Sequence, residues 1–156
     1  MQKISPCLWF DTEAEEAAAF YISIFPNSRI EKVSRYAEGG RMPKGTAMVV
    51  AFALDGVEFL ALNGGPVFKF SEAVSFSISC KTQADVDHYW SKLSAGGSEG
   101  QCGWLKDKFG VSWQVVPEVL PEMATGSDPE KVQRMTQAML KMKKLDIAAL
   151  VNAYNA

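Results

Sequence analysis

The chain has 156 residues and a mass of 17.1 kDa, within the span of one compact domain, and its 47% apolar and 22% charged composition excludes a long disordered protein. A formal net charge of −2 gives polyanions no general attraction, so nucleic acid is not an expected partner. Cys7, Cys80 and Cys102 are odd in number and lack Cys-x-x-Cys spacing, which excludes a disulfide framework and a zinc knuckle and implies a reducing compartment. The opening Met-Gln-Lys-Ile-Ser-Pro has no apolar targeting core and no run approaches the roughly 20 apolar residues of a membrane span. The expectation is a cytoplasmic protein with no membrane contact.

In chain order, Ile4 to Phe10 reads as a strand, and Asp11-Thr12 with Glu15 reads as a capping box opening an alanine-rich helix to about Phe25. Ala14, Ala17, Ala18, Tyr21 and Phe25 form its apolar stripe. Pro26-Asn27-Ser28 stops the helix, Arg29 to Tyr36 is a second strand, and residues 39–45 are a glycine-containing loop. Ala47 to Leu54 and Val57 to Leu62 flank Asp55-Gly56, a strong hairpin signal. This order then repeats. Val74 to Cys80 is a strand, Thr82-x-x-Asp85 opens a helix with Val86, Tyr89, Trp90 and Leu93 apolar, and a weak strand near Ser98-Glu99 follows Gly96-Gly97. Gln101 to Lys106 and Val111 to Val116 form the second hairpin.

After Pro117 the pattern becomes helical. Ser127 or Asp128 caps a helix with Pro129 in its first turn and Val132, Met135, Met139 and Met142 along one side. A shorter helix runs from Asp146 to Tyr154. The expected architecture is α+β: two paired β-α-β-β-β modules, about residues 1–66 and 72–117, forming a curved mixed sheet around a cavity, with a helical tail over 118–156. All of it is read as one domain.

Strand alternation places Ser75, Ser77 and Ser79 on one face and Val74, Phe76, Ile78 and Cys80 on the other. The apolar face must meet the helix, so the serines point to the concave side. Ser112, Gln114 and Val116, and from the first hairpin Phe59, Ala61 and Asn63, are expected to join them. Such a lining suits a small organic ligand; the bland alternative is a wet sheet face with no ligand.

The pieces Leu8-Trp-Phe-Asp-Thr-Glu-Ala-Glu-Glu-Ala-Ala-Ala-Phe-Tyr21, Leu62-Asn-Gly-Gly-Pro66, Cys102-Gly-Trp-Leu-Lys-Asp107 and Ser112-Trp-Gln-Val-Val-Pro117 resemble the PhnB-like branch of the glyoxalase/bleomycin-resistance/dioxygenase (vicinal oxygen chelate) superfamily. Leu140-Lys-Met-Lys-Lys-Leu-Asp-Ile-Ala-Ala149 is similar to tails found in that branch. The resemblance implies paired modules around a ligand cavity and a homodimer, with the tail on its own chain or its partner. Metal-dependent members place four His or Glu ligands at strand positions that fall here at Ser5 or Pro6, Phe59, Ser75 and Gln114. None of these supplies imidazole or carboxylate, so no catalytic metal is expected. The branch is often labelled demethylubiquinone methyltransferase-like. Asp11-Thr12 follows the first strand where a glycine-rich cofactor turn would stand, so S-adenosylmethionine and other cofactors are not expected.

The site residues expected to bind ligand are Phe59, Asn63, Ser75, Ser77, Trp104 and Gln114. Trp9 and Trp104 are candidates to stack a planar compound or to serve as packing. His88, the only histidine, falls away from its helix's apolar stripe, which leaves Ser-His and Cys-His nucleophile schemes without a base. Cys102 has no adjacent cation to activate it, Lys106 and Asp107 read as a polar turn or an acid-base pair, and Asn63-Gly64-Gly65-Pro66 reads as a turn rather than a phosphate cradle. The leading expectation is a metal-free small-molecule-binding protein. The alternatives are an isomerase, lyase or transferase with a nonstandard site, or the methyltransferase of the label.

Overall fold

The structure, a computed structural model, describes residues 2–156. It divides into one compact unit ending at Phe70 and a second running from Ser71 to Ala156. The first contains β1 (Cys7–Phe10), α1 (Ala14–Ile24), β2 (Arg29–Arg35), β3 (Ala47–Leu54) and β4 (Val57–Asn63) in a four-stranded sheet of order β1-β4-β3-β2. The second repeats it with β5 (Ser75–Cys80), α2 (Gln83–Ser94), β6 (Ser98–Glu99), β7 (Trp104–Lys106) and β8 (Ser112–Pro117), ordered β5-β8-β7-β6. In each sheet the first strand runs parallel to the last, and the hairpin is antiparallel. The fold is α+β, as expected.

Asp55 and Gly56 both have positive φ, 46° and 81°, as a two-residue hairpin turn whose twist matches its strands requires. The first helix buries Ala14, Ala17, Ala18, Tyr21 and Ile24. Its alanines allow close approach to the sheet, and the Tyr21 ring lies over Phe52, which stacks on Phe59. In the second unit Val86, Trp90 and Leu93 of α2 are buried on their sheet.

The two helices start differently. Thr82 and Asp85 form the expected capping box, Asp85 N donating to Thr82 Oγ1 at 3.1 Å and Thr82 N to Asp85 Oδ2 at 3.0 Å. At α1 the capping box expected from Thr12 and Glu15 is absent: Glu13 is the cap residue and makes no side-chain cap bond. Ala14 N instead donates to Asn63 Oδ1 at 2.8 Å, reaching across from the end of β4.

The tail forms α3 (Val119–Ala124), α4 (Pro129–Met139) and α5 (Ile147–Asn155), the first of which has no clear signal in the sequence. Asp128, rather than Ser127, caps α4, and Asp146 caps α5. Met123, Met135, Leu145 and Leu150 form the tail's own core, with Met139 and Met142 packed against it, so the methionine stripe is packing. The tail is fastened to its own unit by Cys102 N to Met142 O and Gly103 N to Lys143 O, both 2.8 Å. Gln83 adds two bonds, donating to Leu145 O and accepting from Ile147 N. Gly103 (φ 83°) has to be glycine, because a Cβ there would lie 2.7 Å from Val115 O. The strand expected from Gln101 therefore begins at Trp104, after a turn that this docking dictates.

Candidate ligand-binding face

The register of the second sheet sets out its open face row by row. Ser98 opposes Lys106, Lys106 opposes Ser112, and Ser112 pairs with Ser75; in the next row Trp104 opposes Gln114, which pairs with Ser77. Directly opposed residues point to the same side. Gln114 Nε2 donates to Ser75 Oγ at 3.0 Å, which confirms that these two share a face. Ser77 and Ser79 are exposed, whereas Ile78, Cys80, Trp113 and Val115, one residue out of phase, are buried. The open face of the second unit therefore carries hydroxyls, an amide, an indole and the Lys106 ammonium. Ser75, Ser77, Trp104 and Gln114 share it.

Phe59 and Asn63 do not lie on the corresponding open face of the first unit. Phe59 is 6% exposed and stacks on Phe52 at 5.5 Å, and Asn63 is 1% exposed, holding Ala14 N and donating to Ala47 O at 2.9 Å. Both belong to the face under α1, as does Ala61. Pairing explains the slip: Cys7 opposes Leu60 as Ser77 opposes Gln114, and Leu8 opposes Ala61 as Ile78 opposes Val115. Leu60 is thus the first unit's counterpart of Gln114. A shift of one residue moves a strand's whole set of side chains to the other face.

Trp9 is on the open side of β1, but its ring is already engaged. Its Nε1 donates to Gly65 O at 2.9 Å, Phe68 meets its edge at 4.9 Å, and a Cβ on Gly64 would sit 2.2 Å from the ring. The Asn63-Gly64-Gly65-Pro66 turn is shaped by that indole, and the next element after it is the strand β5.

Asp107 is buried. Its Oδ1 accepts from Phe109 N and Val111 N, at 2.8 and 3.1 Å, and its Oδ2 from Trp113 Nε1 at 2.9 Å. It ties the turn to the core and leaves Lys106 to pair with Glu72, whose carboxyl is held below the usual range by the Lys106 hydrogen bond. His88 is exposed on α2, edge-on to Tyr89. Cys102 Sγ lies 3.6 Å from Met139 O in the tail-docking turn. Partial burial raises the Cys7 thiol, and burial raises Cys80 to about 11, so neither is an activated nucleophile.

The donor chemistry does not fit a catalytic divalent metal. Of the aligned positions, Ser75 and Gln114 offer neutral oxygen, Phe59 offers nothing and faces the helix, and Ser5 is a hydroxyl that accepts from Gln2 Nε2. Among the described residues no group of three His, Cys, Asp or Glu side chains converges. Nor does the turn after β1 fit S-adenosylmethionine, since it carries Asp11 and Glu13 and its helix's first N–H is taken by Asn63.

The paired units have the architecture of the glyoxalase/bleomycin-resistance fold. The chain belongs to the family described as 3-demethylubiquinone-9 3-methyltransferase, whose model matches residues 2–116. It is similar to a Bacillus cereus PhnB protein carrying that description, with 37% identity and a TM-score of 0.70 over 74% of this chain and 99% of that one. A Pseudomonas aeruginosa protein matches at 20% identity and a TM-score of 0.64, covering 76% and 98% of the two chains. The fosfomycin resistance protein FosX from Listeria monocytogenes matches at 15% and 0.52, covering 78% and 97%. The last two show the fold alone. No curated protein matches the chain.

Proposed function

We propose that this protein binds a small organic molecule on the open face of its second unit, without a catalytic metal. The observation that carries the reading is the face itself: Ser75, Ser77 and Gln114 set beside Trp104, neutral hydrogen-bonding groups next to an aromatic wall, on strands fixed by a packed core. Neutral oxygens at the aligned ligand positions support metal-free operation. An enzyme of this fold with a nonstandard site is the second reading; the raised Cys7 and Cys80 thiols and the exposed His88 do not favour it. The methyltransferase label finds no support in the turn after β1.

We further read the protein as a cytoplasmic homodimer, one glyoxalase-like domain per chain. Val67, Phe68 and Val74, which are 72%, 62% and 68% exposed, support association. No helix is long and apolar enough to cross a membrane among the described residues. The test is mass spectrometry of what copurifies with the protein, combined with elemental analysis. A small molecule released on denaturation and lost in Gln114→Leu, with no stoichiometric metal, is the expected result. One metal per chain that disappears in Gln114→Ala would overturn the metal-free reading.

A further inference from the structure

A cavity of about 240 Å³ opens toward the β6–β7 edge of the second unit, lined in part by Glu72, Glu99, Trp104, Lys106 and Ser112, and of its two carboxylates Glu99 is engaged by Trp90 Nε1, which donates to its Oε1 at 3.0 Å. Ser112 Oγ is buried and is the one buried side-chain polar atom without a hydrogen-bond partner among the described residues. An unsatisfied buried hydroxyl carries a desolvation cost, and at a cavity wall it is the group that a bound molecule would satisfy.

Its neighbour in register is Lys106, which supplies the charge. Lys106 projects from a strand hydrogen-bonded on both sides, and its side chain is 38% exposed. Glu72, its partner, stands in the turn before β5 and is 64% exposed. The cation is therefore built into the scaffold and the carboxylate is the exchangeable member. An incoming anion can take Glu72's place against Lys106 and accept from Ser112 Oγ at once. An incoming cation would have to compete with an ammonium that the sheet holds in position. Trp104 adds a flat apolar wall, and the volume falls below the roughly 300–1,000 Å³ of drug-sized sites, which limits the ligand to about one ring.

We propose that this cavity takes a small aromatic carboxylate, its ring against Trp104 and its oxygens on Lys106 and Ser112, displacing Glu72. This rests on the reading of the second unit's open face as the binding face. The test is titration of ¹⁵N-labelled protein with benzoate, benzamide and benzylammonium. The indole N–H groups of Trp9, Trp90 and Trp113 are held by Gly65, Glu99 and Asp107, so that of Trp104 is the reporter.

Benzoate is expected to move the signals of Trp104, Lys106 and Ser112, and to bind roughly tenfold more tightly than benzamide, as a charge-assisted hydrogen bond implies. Lys106→Gln should abolish that preference. Ser112→Ala should weaken benzoate while melting no lower than the parent, which separates a ligand contact from a structural one. Equal binding of all three compounds, or a preference that survives Lys106→Gln, would overturn the carboxylate assignment and leave the binding face standing. Silence of Trp104 toward benzoate at millimolar concentration would overturn it as well, with the binding face then judged by the copurified molecule.

Discussion

The two units share strand order, helix placement and pairing register, yet their sheets differ in what the open face is made of. In the first, Leu60, Leu62, Val49 and Ala51 occupy the side away from α1, so β4 is apolar on both faces. In the second, Gln114 and Trp104 stand where the first has Leu60 and Ala51, Ser77 stands where it has Cys7, and polarity alternates with the pleat along β5 from Ser75 to Cys80. The repeat therefore preserves the backbone while the open faces differ in polarity. An apolar open face suits packing, whereas a face of hydroxyls and an amide offers directional hydrogen bonds.

The comparison breaks most visibly if the face assignments are exchanged by mutation. Phe59→Ala and Trp113→Ala each remove a large side chain from under a helix and should cost about 3–5 kcal/mol in denaturant melts. Gln114→Leu, which gives the second unit the residue that the first has at Leu60, should cost less than about 1 kcal/mol. A Phe59→Ala variant as stable as Gln114→Leu would return Phe59 to the open face and undo the register argument.

Helix starts sharpen the contrast. Asn63→Ala leaves Ala14 N and Ala47 O without their buried partner and should cost about 1–3 kcal/mol. Thr82→Ala, at a solvent-facing local cap, should cost about 1 kcal/mol. Urea melts of the two variants, with Asn63→Ala the less stable, would bear out a tertiary cap on α1 and a local one on α2.

Much of this was legible in the sequence, and the failures have two causes. Asp55-Gly56 announces its hairpin, and Thr82-x-x-Asp85 its helix, because each signal is local. Ser75-Phe-Ser-Ile-Ser-Cys80 reveals its inner and outer faces because polarity marks every second residue. Val57-Glu-Phe-Leu-Ala-Leu-Asn63 contains no such mark: with apolar residues on both sides, parity has to come from the partner strand, and Asn63 reads as a polar site residue when it is a cap. The internal repeat held the missing signal. Aligning Thr12 with Thr82 sets Leu8 against Ile78, and pairing then makes Leu60, rather than Phe59, the equivalent of Gln114. The helix over Val119–Ala124 and the turn at Cys102-Gly103 were hidden for a different reason, since packing of the tail defines both.

The effect that is smallest at neutral pH concerns Cys80. Burial raises its thiol from the ordinary 9.0 to about 11, with Asp85 adding to the shift. The folded state thus keeps the neutral thiol at pH values where the unfolded chain has already ionised. This contribution is complete below the unfolded value and is lost as pH rises toward the folded one. Stability should be flat near pH 7 and fall between about 9 and 11, and Cys80→Ala should flatten that decline relative to the parent, as thermal melts across the pH series would show.

The central claim, that the open face of the second unit is the binding face, is tested most directly by mapping amide chemical shifts on addition of a library of single-ring fragments. The account predicts that binders move Ser75, Ser77, Trp104 and Gln114 together and leave Cys7, Leu60 and Leu62 unmoved. Shifts centred on Cys7 and Leu60, with the serine face silent, would contradict it.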